Sequence, residues 1–127
     1  MTERPSRTLF LLPFGIAAIL AACSSSTSSN NPPPAADVVI VANAQAKTVT
    51  AYAPDTFTVT LASGGEVIFR NDDAVIHTAT GDADSAAFHT GNLAGGGVDT
   101  ITFTTQGSHP FHCSIHPGMV GLVIVNP

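Results

Sequence analysis

At 127 residues the chain holds one domain of ordinary size and leaves little room for two independent cores. Its 4 Lys+Arg against 9 Asp+Glu, a formal charge of −5, exclude the basic groove that nucleic-acid binding requires. With 10% of residues charged and 44% apolar it cannot be disordered throughout, and 2 cysteines do not make a disulfide scaffold.

The first segment reads as an export signal. Arg4 and Arg7, against Glu3, give a positive start, and Leu9 to Leu20 is apolar. That run is too short for a membrane-spanning helix and suits a signal-peptide core. Leu20-Ala21-Ala22-Cys23 then resembles the bacterial lipobox, in which the cysteine becomes the lipidated first residue of the mature protein. The expected division is therefore a signal peptide over 1–22, lipidated Cys23 with a linker over 23–36, and a folded domain over 37–127. The alternative is an ordinary cleaved signal with Cys23 incidental. On the lipoprotein reading, acyl chains at Cys23 hold the protein to a membrane on the exported, periplasmic side while its domain stays in water. Ser24 directly after the cysteine resembles lipoproteins sorted to the outer membrane of a Gram-negative host.

Residues 24–36, Ser/Thr/Asn followed by Pro32-Pro33-Pro34-Ala35-Ala36, carry no charge and nothing large to bury. Such a segment cannot offset its ordering entropy and reads as a spacer of roughly 20 Å as a coil. Without the signal, Lys47 and Arg70 stand against eight acids, a formal charge of −6, and Cys113 has no cysteine partner besides the anchor.

The remaining residues read as strands. Val38 to Ala42 is a short apolar run, and Thr56 to Leu61 alternates with Phe57, Val59 and Leu61 on one face. Ser63-Gly64-Gly65 predicts a turn and Glu66 to Arg70 another strand. Asn71-Asp72-Asp73 is turn chemistry leading into a strand over Ala74 to Thr80. Ala83 to Leu93 has room for one helical turn. Thr100 to Thr104 alternates and stops at Gly107; Phe111 to Cys113 and Val120 to Val125 complete the set. The pattern predicts an all-β domain, an antiparallel Greek-key sandwich or barrel, with Phe57, Val59, Phe69, Ile101, Phe103 and Val123 in its core.

The chemistry concentrates in Cys113-Ser114-Ile115-His116-Pro117-Gly118-Met119, which sets thiolate, imidazole and thioether at steps of three. Pro117 and Gly118 argue against a helix, so the three side chains curl around one point on a tight loop. His77 stands 36 residues before the cysteine. Two imidazoles, one thiolate and one weak axial thioether are the donor set of a blue-copper site, whereas methionine is a poor zinc ligand. Singly, each residue has a bland reading: a buried thiol, a core histidine, plain packing.

From these residues the chain resembles a cupredoxin of the plastocyanin/amicyanin-like group, over nearly all of 37–127. The likeness rests on Phe69-Arg70-Asn71-Asp72-Asp73, His77-Thr78, Gly107, and Phe111 through Gly121 with its short Cys-x2-His-x2-Met loop. The resemblance implies a single type 1 copper held by His77, Cys113, His116 and Met119. It also implies one-electron transfer, with electrons entering or leaving through a surface-reaching His116. The residue after the first histidine is often Asn in this group and bonds to the cysteine loop; here it is Thr78.

His112 alternates with Cys113 and should face solvent, and His109 should be a packed ring. His89 has no ligand argument. Three functions compete: a monomeric electron carrier, a copper carrier or store delivering metal to another exported protein, and a thiol enzyme with Cys113 as nucleophile. The third leaves Met119 and His77 unexplained, and one domain without a His-x-His pair argues against a multicopper oxidase or nitrite reductase. The chain therefore reads as no enzyme. The expected partner is another redox protein, and the acidic balance suits a basic c-type cytochrome.

Overall fold

Among the described residues eight short strands form, the clearest where β-branched and aromatic residues recur, as over Thr56–Thr60 and Val120–Asn126. The computed structural model describes residues 32–82 and 88–127, all within the compact unit Asn31–Pro127. The signal segment, Cys23 and most of the linker lie outside the described residues; residues 32–36 carry no regular structure.

The strands are β1 (Val38–Ile40), β2 (Tyr52–Ala53), β3 (Thr56–Thr60), β4 (Glu66–Asn71), β5 (Thr80–Gly81), β6 (Val98–Thr102), β7 (Gly107–His112) and β8 (Val120–Asn126). One sheet runs β2-β1-β4-β6 and the other β3-β8-β7-β5, so the chain crosses repeatedly between sheets. One buried cluster joins their inner faces: Val38, Ile40, Tyr52, Val67 and Phe69 from the first, with Val59, Phe111, Val123 and Val125 from the second. Ring contacts cross the interface, Phe111 meeting Tyr52 at 4.8 Å and Phe69 at 5.5 Å, both edge-on. The fold is a cupredoxin-like β-sandwich. Of the expected core, Val59, Phe69, Phe103 and Val123 are buried, while Phe57 and Ile101 pack against it half-buried.

Several expectations need correction. The sheets are mixed: β1 pairs parallel with β4, and β3 parallel with β8. Ala74 to Thr80 is mostly loop; His77 makes an isolated bridge to Leu93, and regular pairing begins at Thr80. Val75 and Ile76, which suggested a strand there, are exposed. Gly107 opens β7 rather than ending the previous strand, and Cys113 follows β7 rather than lying in it. Pro110 is tolerated because β5 pairs only with Phe111 and His112, leaving the start of β7 with one strand neighbour. Residues 83–87 lie outside the described residues, and Phe88 to Leu93 holds no helical turn: it carries an isolated bridge at each of His89 and Leu93.

Candidate metal centre

Two loops at one end of the sandwich bring the donor atoms together. The β4–β5 loop carries His77, clamped by paired backbone bonds to Leu93: His77 N–H donates to Leu93 O at 3.1 Å and Leu93 N–H to His77 O at 2.8 Å. Cys113 leaves the end of β7, and its N–H donates to Met119 O at 3.0 Å, closing the ligand loop just before β8. Inside that loop Gly118 takes φ 88°, the left-handed region that favours glycine.

His77 Nδ1 and His116 Nδ1 lie 3.0 Å apart, and each is 3.8 Å from Cys113 Sγ. A point equidistant from the three atoms lies about 2.1 Å from each, which is the length of first-row metal bonds to imidazole and close to those to thiolate. The donor set therefore fits a small, thiophilic metal ion. His77 and Met119 are fully buried and Cys113 nearly so, whereas His116 is half-buried. Three of the four sequence-derived candidates thus place ligand atoms in one cluster. Met119 belongs to the same closed loop, with its side chain in the core.

Burial alone pushes the Cys113 thiol up. Backbone hydrogen bonds from Thr78 and Ile115, the adjacent His77 ring and a further backbone hydrogen bond from His116 outweigh it and bring the thiol down to about 6. The site is thus poised to present a thiolate, the form that binds metals. Tyr52 donates its hydroxyl to Thr78 O at 2.5 Å, tying the core to the same loop. Burial, and then the charge of Cys113, push the tyrosine hydroxyl well above its ordinary range.

Two residues behind the cluster complete it. Thr78 Oγ1 accepts from Ser114 N–H at 2.9 Å and lies 3.1 Å from Ser114 Oγ, so this threonine makes the tie to the cysteine loop that the resemblance assigns to Asn. Thr78→Val is expected to cost about 1–2 kcal/mol by stranding the Ser114 N–H, lowering the melting temperature by several degrees. Thermal unfolding of the variant beside Thr78→Asn, which keeps an acceptor, checks this; equal losses in both would show that the tie contributes nothing.

Asp73 is the residue sequence reading missed, absorbed into the turn Asn71-Asp72-Asp73. Its Oδ2 lies 2.9 Å from His77 Nε2. A signal existed in the spacing Asp-x3-His. The His77 hydrogen bond is the largest influence on Asp73; burial opposes it, and backbone N–H groups of Ala44, Asn43 and Ala74 add to it, holding the carboxyl at about 2.

The other histidines stay apart from the cluster. His109 is a packed ring, buried against Phe103 at 5.0 Å with Nε2 3.0 Å from Thr105 O. His112 is half-exposed and meets Asp82 at 2.6 Å, and His89 is exposed with Nδ1 accepting from Gly91 N–H.

Residues 39–126 match the family model of copper binding proteins, plastocyanin/azurin family. Over 89 residues the chain is 35% identical to a plastocyanin of Cucumis sativus, covering 60% of this chain and 88% of the relative. Among solved structures, a purple cupredoxin from Nitrosopumilus maritimus is 28% identical, with a TM-score of 0.63 over 72% of this chain and 100% of its own. An oxidised amicyanin variant is 28% identical, with a TM-score of 0.51 over 57% of this chain and 70% of its own.

Proposed function

Since this chain belongs to the plastocyanin/azurin family of copper-binding proteins, we propose that it is a type 1 copper electron carrier tethered by a lipid at Cys23 to the exported side of a membrane. His77, Cys113 and His116 would hold the metal, with Met119 as a fourth, weaker donor. The observation that carries this reading is the triangle of two Nδ1 atoms and one Sγ, with sides of 3.0, 3.8 and 3.8 Å. Copper supplies a one-electron Cu(II)/Cu(I) couple at such a donor set.

The protein's own contribution is rigidity and a contact surface. Two ligand-bearing loops are clamped by backbone bonds, so the donors need little rearrangement to hold either oxidation state. The burial of His77, Cys113 and Met119 also favours a carrier of electrons over a store that must release metal. It leaves Cys113 poorly placed as an enzyme nucleophile. His116 is the half-buried ligand, flanked in the chain by the exposed Ile115 and Pro117. An uncharged rim lets a partner approach closely without stripping water from charges.

Addition of Cu(II) to the purified domain tests the reading. An intense blue, green or purple thiolate-to-copper band is expected, and a pale d–d spectrum would overturn the assignment. For the partner, the net acidic domain suits a basic c-type cytochrome. Stopped-flow oxidation of the reduced domain by such a cytochrome should slow as ionic strength rises, and Pro117→Glu should slow it at every ionic strength. A salt-independent rate would remove the steering, and an unaffected Pro117→Glu variant would remove the apolar contact.

A further inference from the structure

We propose that Asp73 is a positioning residue of the copper site, its buried carboxylate selecting which imidazole nitrogen of His77 faces the metal and lowering the reduction potential. The inference rests on the copper reading above and assigns a role to a residue outside the four ligands.

Among the described residues the carboxylate has a single side-chain partner, His77. Oδ2 lies 2.9 Å from His77 Nε2 and accepts from Ala44 N–H at 3.0 Å, while Oδ1 accepts from Ala74 N–H at 2.7 Å. An ionised carboxylate only accepts, so the imidazole proton must sit on Nε2, leaving Nδ1 with a free lone pair on the side of Cys113 and His116. The nearby Arg70 is committed elsewhere, gripping Asp72 with Nε at 2.6 Å and a second nitrogen at 2.8 Å. The charge of Asp73 is therefore directed at the histidine.

The carboxylate is itself fixed. Asp73 N–H donates to Asn71 Oδ1 at 2.9 Å, and Asn71 Nδ2 donates to Val75 O at 2.7 Å and Leu93 O at 2.8 Å. Leu93 is the residue whose backbone clamps His77. Asn43, at φ 59°, turns the chain so that Ala44 N–H reaches the same carboxylate. Ring and backbone of His77 are thus held by one connected network.

A negative charge behind an imidazole makes its far nitrogen a stronger donor. Stronger donation stabilises the more highly charged oxidation state, so Asp73 should favour Cu(II). A purely structural Asp73, serving only to cap the turn at Ala44 and Ala74, would not affect the couple.

Asp73→Asn separates these roles in the copper-loaded protein, because the amide keeps an acceptor and loses the charge. Spectroelectrochemical titration should find the Cu(I)/Cu(II) ratio at a fixed reference potential raised about tenfold, which is 59 mV for one electron. Asp72→Asn removes the same formal charge one residue away and should shift the ratio far less. An unchanged potential in Asp73→Asn, or equal shifts in the two variants, overturns the proposal. Should Asp73→Asn fail to fold, nitrogen-15 NMR of the copper-free wild-type protein decides: a His77 ring with its proton on Nε2 before any metal holds Nδ1 supports the role, and a proton on Nδ1 alone refutes it. A wild-type protein that gives no thiolate band overturns the copper reading itself, whereas a coloured wild type with an unmoved Asp73→Asn potential overturns only the role of Asp73.

Discussion

Replacing Cys113 by serine is expected to abolish the intense visible band of the copper-loaded protein completely, leaving at most a weak d–d absorption. The band needs a thiolate in direct contact with the metal, and among the described residues Cys113 is the sole free cysteine, buried where no other soft anion can take its place. Serine occupies the space but stays a neutral hydroxyl at any ordinary pH, so a strong bond to the metal is lost along with the colour. Met119→Leu should behave differently. The side chain is fully buried, leucine fills a similar volume, and His77, Cys113 and His116 are untouched. Copper and colour should survive while the potential rises, because loss of a weak thioether donor would favour Cu(I). Visible titration and voltammetry of the two variants check this together. Equal loss of copper from both would refute the division between strong and weak donors.

Phe111→Ala should come close to unfolding the domain. The ring is 1% exposed and sits where the two sheets meet, touching Tyr52, Phe69 and Phe88. On its other side lies Gly121, where an added Cβ would stand 2.3 Å from the ring's Cζ. Glycine leaves nothing that can swing in to fill the hole. The loss should lie at the upper end of about 3–5 kcal/mol, against a total of about 5–15 kcal/mol for an ordinary domain. A fall in melting temperature of at least about 12 °C should follow in the copper-free protein, which is itself expected to be folded, since its core and loop clamps are made of protein alone. Differential scanning calorimetry measures the fall, and a loss below 1 kcal/mol would contradict the packing argument.

The ligand cluster was legible because metal chemistry restricts both residue type and spacing. Cysteine, histidine and methionine at steps of three around Pro117-Gly118 leave few alternatives, and His77, Cys113 and His116 do converge. Asp73 was not legible in the same way. In a string of Asn and Asp before a loop, a carboxylate that caps a turn and one that supports a ligand look identical. The role emerges only when Oδ2 is found beside His77 Nε2. Apolar content misled at Val75 and Ile76, which are 37% and 46% exposed and form loop rather than strand. Glycine misled at Gly107, which opens β7, because its penalty in a strand depends on which neighbours that strand has. Nor can alternation reveal strand direction. Val59 and Val125 alternate with polar or half-buried neighbours as they would in an antiparallel pair, yet their strands run parallel.

That parallel pairing of β3 with β8 sets the order in which the molecule can assemble. Thr56 finds Leu122 across 66 intervening steps of chain, and each later rung through Thr60 and Asn126 spans the same separation. Closing so long a loop consumes entropy before any rung returns it, so such topologies fold in milliseconds to seconds rather than microseconds. The ligand loop closes a local antiparallel hairpin, with β7 and β8 paired from Gly107 and Val125 to His112 and Val120, so its rungs cost far less chain closure than those of β3 with β8. Cys113 and His116 share that hairpin whereas His77 stands 36 residues before the cysteine, so metal met by the hairpin alone would find two donors instead of three.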